Sequence, residues 1–128
     1  MSQHAKINLN DAKDLAPDYG MGDICEARFV RKDLGADGLG MAAYRMKPGR
    51  RVGFGHAHAD SEEIYVVTAG SGRFKIEDEI VEVGKDDVVY CGLDTMREWE
   101  AGPDGMDLLA FGHHVEGDSK MDQEWWTD

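Results

Sequence analysis

An all-β barrel is the fold class this sequence predicts, on three observations. Short segments rich in β-branched and aromatic residues recur from Ile24 onward, which is the composition of strands. Turns bearing Gly, Pro or Asp separate them about every eight to twelve residues, the spacing of a sandwich or barrel. No apolar stripe of helical period and useful length runs through the same region, so nothing there asks for a helix. Closing an antiparallel sheet on itself removes its edges, and a small barrel or jelly roll is the expected result.

The elements follow in order. The first twenty residues are polar and close on Pro17 and Gly20. They read as an arm, with Asn10 placed to cap a short helical turn over residues 11–16. The expected strands are ICEARFVR, LGMAAYRM, RVGF, EIYVVTA, GRFKIED, EIVEV, DVVYCG, MREWEA and MDLLAFG. Between them GADG, KPGR, HADS, AGSG, EVGKD and AGPDG are turn signals. Eight or nine antiparallel strands thus fall within residues 24–115. The last segment, MDQEWWTD, is a tail carrying Trp125 and Trp126, an aromatic pair that packs on the barrel exterior or against a partner subunit. The expected organisation is an arm over 1–22, one barrel domain over 23–116 and a tail over 117–128.

Charge narrows the function classes. Against 26 acidic residues stand 14 basic ones, for a net charge of −12. Such a chain offers phosphate backbones no counterion release and repels anionic membrane surfaces, so neither nucleic acid nor membrane is an expected partner. No apolar run approaches the roughly 18 residues of a bilayer span. The opening MSQHAKINLNDAKDLA has neither the basic start nor the apolar stretch of a signal peptide. A cytoplasmic location is the expectation, and Cys25 and Cys91, far apart and set among strand residues, read as buried free thiols.

The densest polar feature is Gly55-His56-Ala57-His58-Ala59-Asp60-Ser61-Glu62-Glu63-Ile64-Tyr65. Alternate side chains of a strand share a face, so His56 and His58 point together. Asp60 and Ser61 can turn the chain, and Glu63 opens the next strand. If Glu63 faces the same way, two imidazoles and a carboxylate converge within one hairpin, a set suited to Fe(II), Mn or Zn with open positions. A pair of surface histidines is the competing reading. Glu62 should point away into solvent. His113 and His114, at the end of the last expected strand, are either a further ligand source or ordinary strand-end residues.

His56-x-His58-(x4)-Glu63-(x6)-Gly70 resembles the first signature of the cupin superfamily, and EVGKDDVVYCGLDTMREWEAGPDGMDLLAFG resembles a degraded second one. Together they cover about residues 39–112. In the second, Asp86 stands at the expected glycine, Gly92, Leu93 and Asp94 at the Pro-x-Gly positions, and Arg97 where the last histidine ligand belongs. The resemblance implies a double-stranded β-helix, the cupin jelly-roll barrel, with its site in the barrel mouth. It implies metal ligation by His56, His58 and Glu63 to a divalent transition metal (Fe, Mn, Zn or Ni). Arg97 opposes this: a divalent ion and a guanidinium about 5 Å apart repel by roughly 7 kcal/mol at an effective dielectric of 20. The metal is therefore expected to be weak or absent, with Arg97 either swung away or paired with Glu63. Arg97 shares strand parity with Trp99, and Tyr65 shares it with Glu63. Arg97, Tyr65 and Trp99 are accordingly the candidate ligand-binding residues, with core packing the alternative for Tyr65. The expected function is small-molecule binding, of an anion in particular, in the barrel mouth. A metal-dependent oxygenase or isomerase is the alternative, and a non-catalytic structural barrel the third reading. The resemblance also implies a homodimer.

Overall fold

In the computed structural model, which describes residues 3–128, the described residues form a curled antiparallel sheet of eight strands. These are β1 (Cys25–Phe29), β2 (Leu39–Met46), β3 (Gly55–His58), β4 (Glu63–Ile76), β5 (Glu79–Gly84), β6 (Val88–Cys91), β7 (Arg97–His113) and β8 (Ser119–Asp122). One turn of helix, α1 (Arg31–Leu34), links β1 to β2. The sheet order is β1-β2-β7-β3-β8, and β4 enters through β7 while also carrying β5 and β6. The all-β barrel class is borne out.

The spine of the barrel is the β4–β7 ribbon, and it differs from the sequence expectation. AGSG and AGPDG read as turns, yet β4 runs unbroken through the first and β7 through the second. Register shifts between Val67 and Ala69 and between Gly70 and Gly72 bend the ribbon there, because a bulge kinks and twists a strand pair without ending it. Gly70 has φ 74, and a Cβ on it would stand 2.1 Å from the Gly105 carbonyl oxygen. The glycines mark close backbone approach, where the sequence reading saw chain reversal.

Two smaller differences have local causes. RVGF is not a strand; only Arg51 bridges Glu100. Gly53 sits at φ 97, outside strand geometry, and Val52 turns into the core with its N–H donating to the Trp99 carbonyl at 3.0 Å. In the arm, Asn8 rather than Asn10 caps, over a 3-10 turn at Leu9–Asp11. The arm is stitched to β1 by the Leu15 N–H donating to the Ala27 carbonyl at 2.8 Å and by the Asp14 carboxylate accepting from the Ala27 N–H at 2.9 Å.

Inward-facing Tyr65 and Val67 of β4, Phe74 beyond the bend, and Trp99, Met106 and Leu108 of β7 fill the interior. The rings of Tyr65, Phe74 and Trp99 lie 5.2–5.7 Å apart in tilted pairs, a geometry that adds to their burial. Cys25 and Cys91 are free and buried, and burial pushes the Cys25 thiol up to about 11, which leaves it unreactive at neutral pH.

The last residues join the sheet rather than trailing from it. β8 pairs with β3, Gly55 opposite Asp122 and His58 opposite Ser119. Beyond it, Trp126 is buried under Arg51, whose guanidinium lies 3.9 Å from the ring centroid and donates to the Trp126 carbonyl at 2.8 Å. Lys75 sits 4.4 Å over Trp125, and that ring covers Gly55 so closely that a Cβ there would be 2.7 Å from it. The aromatic pair thus packs on the exterior of its own chain. Among the described residues no helix is long and apolar enough to cross a membrane.

Candidate functional site

The two faces of β3 have different neighbours. Gly55 lies outward beneath Trp125, while His56 and His58 turn toward the barrel. The loop after β3 returns the chain to Glu63, the first residue of β4. One ligand atom from each of His56, His58 and Glu63 lies within 4.8 Å of the others, so the three residues expected to converge do so. His56 sits directly opposite Arg97 in the ladder.

Glu63 is the centre, and its two oxygens have different surroundings. Oε1 accepts from Arg97 Nη2 at 2.6 Å and from the Tyr65 hydroxyl, with His56 Nε2 at 3.7 Å. Tyr65 in turn accepts from Arg97 Nε at 2.9 Å, and Arg97 Nη1 donates to the Thr95 carbonyl at 2.9 Å. Arg97 is 0% exposed. The pairing of Arg97 with Glu63, one of the two arrangements the sequence left open, is the one present. Burial pushes the Glu63 carboxyl up, but the hydrogen bonds from His56, Tyr65 and Arg97 outweigh it and hold the group at about 2. Burial and the Glu63 carboxylate together raise Tyr65 well above the phenol range, so its hydroxyl stays a donor.

Oε2 faces His58 Nε2 at 3.7 Å. The other nitrogen of that ring, Nδ1, lies 2.9 Å from Asp118 Oδ1. Asp118 also accepts from the Ser61 hydroxyl at 2.7 Å and the Asp60 N–H at 3.3 Å. Burial raises the Asp118 carboxyl, but the bonds from His58 and Ser61 more than reverse this and keep it ionised. An ionised carboxylate only accepts, so the bond to Asp118 is donated by Nδ1–H, which leaves Nε2 as the nitrogen facing Glu63. His56 has no such support. Its Nδ1 is buried without a hydrogen-bond partner among the described residues, as is Trp99 Nε1. Burial first, then the Arg97 cation, lowers the His56 pKa.

The donor set fits a divalent ion in its chemistry: two imidazoles and a carboxylate, with His58 oriented through its second nitrogen as ligating histidines commonly are. Two features weaken it. A ligating His56 Nε2 requires a proton on Nδ1, which would lack an acceptor, and Arg97 already neutralises Glu63.

The other predicted site residues are placed as follows. Trp99 is buried under the site, with its ring centroid 5.9 Å from that of His56. Tyr65 combines both of its readings, ring in the core and hydroxyl in the site. Three of the five N–H groups of Arg97 are engaged by the bonds above. His113 is exposed and lies 3.1 Å from the Gly38 carbonyl through Nδ1, and neither it nor His114 joins the cluster. Glu62 is exposed, bonded to the Tyr90 hydroxyl. Asp118 and Ser61 were missed. Nothing local marks Asp118; it reaches His58 from sixty residues away only because β8 lies beside β3.

The fold is the one that cupin structures share. A cupin protein from Bacteroides fragilis aligns over 91% of this chain and 89% of its own, at a TM-score of 0.72 and 20% identity. Oxalate decarboxylase from Bacillus subtilis aligns over 98% of this chain at a TM-score of 0.80 and 22% identity, although the chain spans only 34% of that enzyme's length. Pac13, a nucleoside dehydratase of Streptomyces, aligns over 93% of this chain and 91% of its own, at a TM-score of 0.73 and 14% identity. No protein-family model matches the sequence. No curated protein matches it either.

Proposed function

We propose that this chain is a small-molecule-binding cupin that holds a divalent transition metal weakly on His56, His58 and Glu63 and takes a small anion at the loaded site. One observation carries the reading. His58 Nε2 and Glu63 Oε2 face each other at 3.7 Å, a pair of ligand atoms that a cation between them would bring together.

The charge count then favours an anionic ligand. Arg97 offsets one of the two carboxylates, Glu63 and Asp118, which leaves the site with a net negative charge. A divalent ion turns that into one positive charge. The overall charge of −12 repels free anions, so a local positive site is needed to capture one. When bound, the metal would act as a Lewis acid that polarises a ligand oxygen. The chain's own groups do the rest. Arg97 retains N–H donors beyond its three bonds, Tyr65 holds Arg97 and Glu63 in place through its hydroxyl, and Trp99 supplies an apolar floor, the usual mixture of a ligand pocket. A catalytic reading draws on the proton-bearing chain of Arg97, Tyr65, Glu63 and His56, and on the nucleoside dehydratase among the fold relatives; substrate turnover by the metal-loaded protein would establish it.

Calorimetric titration of Fe(II), Mn, Zn and Ni into tag-free protein tests the reading. Weak binding, abolished in His58→Ala and strengthened in Arg97→His, is the expected result. A carboxylate such as acetate or oxalate should raise Tm only in the presence of the metal. Tight metal binding that survives His56→Ala and His58→Ala together would refute the assignment.

A further inference from the structure

β3 carries both histidines of the site and depends on its neighbours for its place. β7 meets it only at His56, opposite Arg97, and the His58 carbonyl accepts from the Asp94 N–H at 2.7 Å. β8, by contrast, pairs with it along its whole length, from Gly55 opposite Asp122 to His58 opposite Ser119. Yet all four residues of β8 are exposed. Two short paired strands are marginal on their own, and an edge strand without buried side chains has little to offset the entropy of ordering it. β8 must therefore be anchored at its ends.

The head anchor is Asp118, bonded to His58 and Ser61. The other anchor is Trp126, the one buried residue among positions 119–128, at 6% exposed. A tryptophan so placed removes roughly 150–250 Å² from water. Two guanidiniums meet its ring, Arg51 at 3.9 Å and Arg73 at 5.2 Å from the centroid. Glu100 of β7 pins both cations, at 2.8 and 2.7 Å. Between strand and anchor Trp125 lies over Gly55, so the segment grips β3 on its edge and on its outer face.

We propose that Trp126 is a positioning residue for the site: its docking on Arg51 and Arg73 seats β8, β8 seats β3, and the two histidines are aimed at Glu63 only while the tail is docked. Undocking loosens β8 and, through its head, the Asp118 carboxylate that orients His58. The effect stays local. Arg73 and Glu100 alternate with the inward Phe74 and Trp99, so the tail lifts from the outer face without disturbing the interior. By linkage, a metal that clamps His58 to Glu63 tightens the tail by the same factor as the docked tail tightens the metal. This converse rests on the metal reading proposed above; the seating of β3 does not.

Hydrogen exchange on the metal-free full chain tests the seating. In wild type the amides of β3 and β8 should open together, and more readily than those of β4 and β7. Trp126→Ala should speed exchange in both short strands by about tenfold or more and leave β4 and β7 at their wild-type rates. Trp126→Phe, which keeps an aromatic ring under the guanidiniums, should recover most of the protection. Exchange that quickens in β8 alone, or equally throughout the sheet, overturns the proposal. If Trp126→Ala does not fold, wild type decides, because separate opening of β3 and β8 overturns it as well. Titration with Zn(II) tests the converse. Zinc should bind Trp126→Ala about tenfold more weakly than wild type, and in wild type it should slow exchange across residues 119–126. Zinc bound equally by both proteins overturns the coupling. Zinc bound by neither refutes the metal reading, and the metal-free comparison still decides whether Trp126 seats β3.

Discussion

On one side of Glu63 the bonded partners, Arg97 and Tyr65, are buried and come from two strands; on the other, the geometry depends on a residue from the far end of the chain. The closed side is Oε1, with Arg97 and Tyr65 bonded to it and to each other. The open side is Oε2, facing a histidine whose orientation comes from Asp118 at the head of β8. The closed side is a buried ion pair. The open side carries the pair of ligand atoms proposed to hold a cation. On the proposed reading one carboxylate serves stability through one oxygen and binding through the other, and each role can be broken separately.

The largest effect should come from the closed side. Arg97→Ala strands the Glu63 carboxylate in the barrel, and breaking a buried pair by removing one partner costs about 3–5 kcal/mol. Urea unfolding at neutral pH measures it. A loss below about 1 kcal/mol would mean that the pair is not what holds this wall together.

Acid should break the same side more gently. The Glu63 carboxyl is held at about 2, against an ordinary value of 4.5. A carboxyl depressed in the folded state binds fewer protons there than in the unfolded chain. Its stabilisation is complete above about pH 4.5 and is lost as pH falls through about pH 2, for a total of about 3 kcal/mol. His56, also depressed by burial, adds a loss of the same sign that begins below its ordinary value near 6.5. Stability measured from pH 7 to pH 2 should therefore fall in two stages, and Glu63→Gln should flatten the lower one. An unchanged lower stage in that variant would place the acid sensitivity elsewhere.

The open side should show the smallest stability change and the clearest change in binding. Asp118→Asn leaves the loop's shape nearly intact but removes the ionised acceptor that fixes the His58 tautomer. Losing such a partner typically weakens metal binding by about 10–100-fold. Nitrogen-15 chemical shifts of the His58 ring should show the proton at Nδ1 in wild type and a mixture in the variant. A ring that keeps one tautomer in both would show that Asp118 does not set it.

The chain's own pattern determined the all-β class and put His56 and His58 on one strand face, with Glu63 able to join them across a short turn. Strand alternation settles such matters within a dozen residues; Arg97, 34 residues beyond Glu63, was reached only through the resemblance. The degraded second signature still located Arg97, because a ladder position is conveyed by spacing even when its residue type changes. Only the tertiary structure decided that AGSG and AGPDG lie within a continuous bent ribbon. Glycine signals a turn and a close backbone crossing with the same letter, and the difference lies in whether another strand's backbone occupies the space a Cβ would need. It alone decided that the tail is a strand and that Asp118 completes the site. Hydrogen bonds between residues sixty positions apart leave no periodic trace in sequence; they exist because β8 and β3 are neighbours in the sheet.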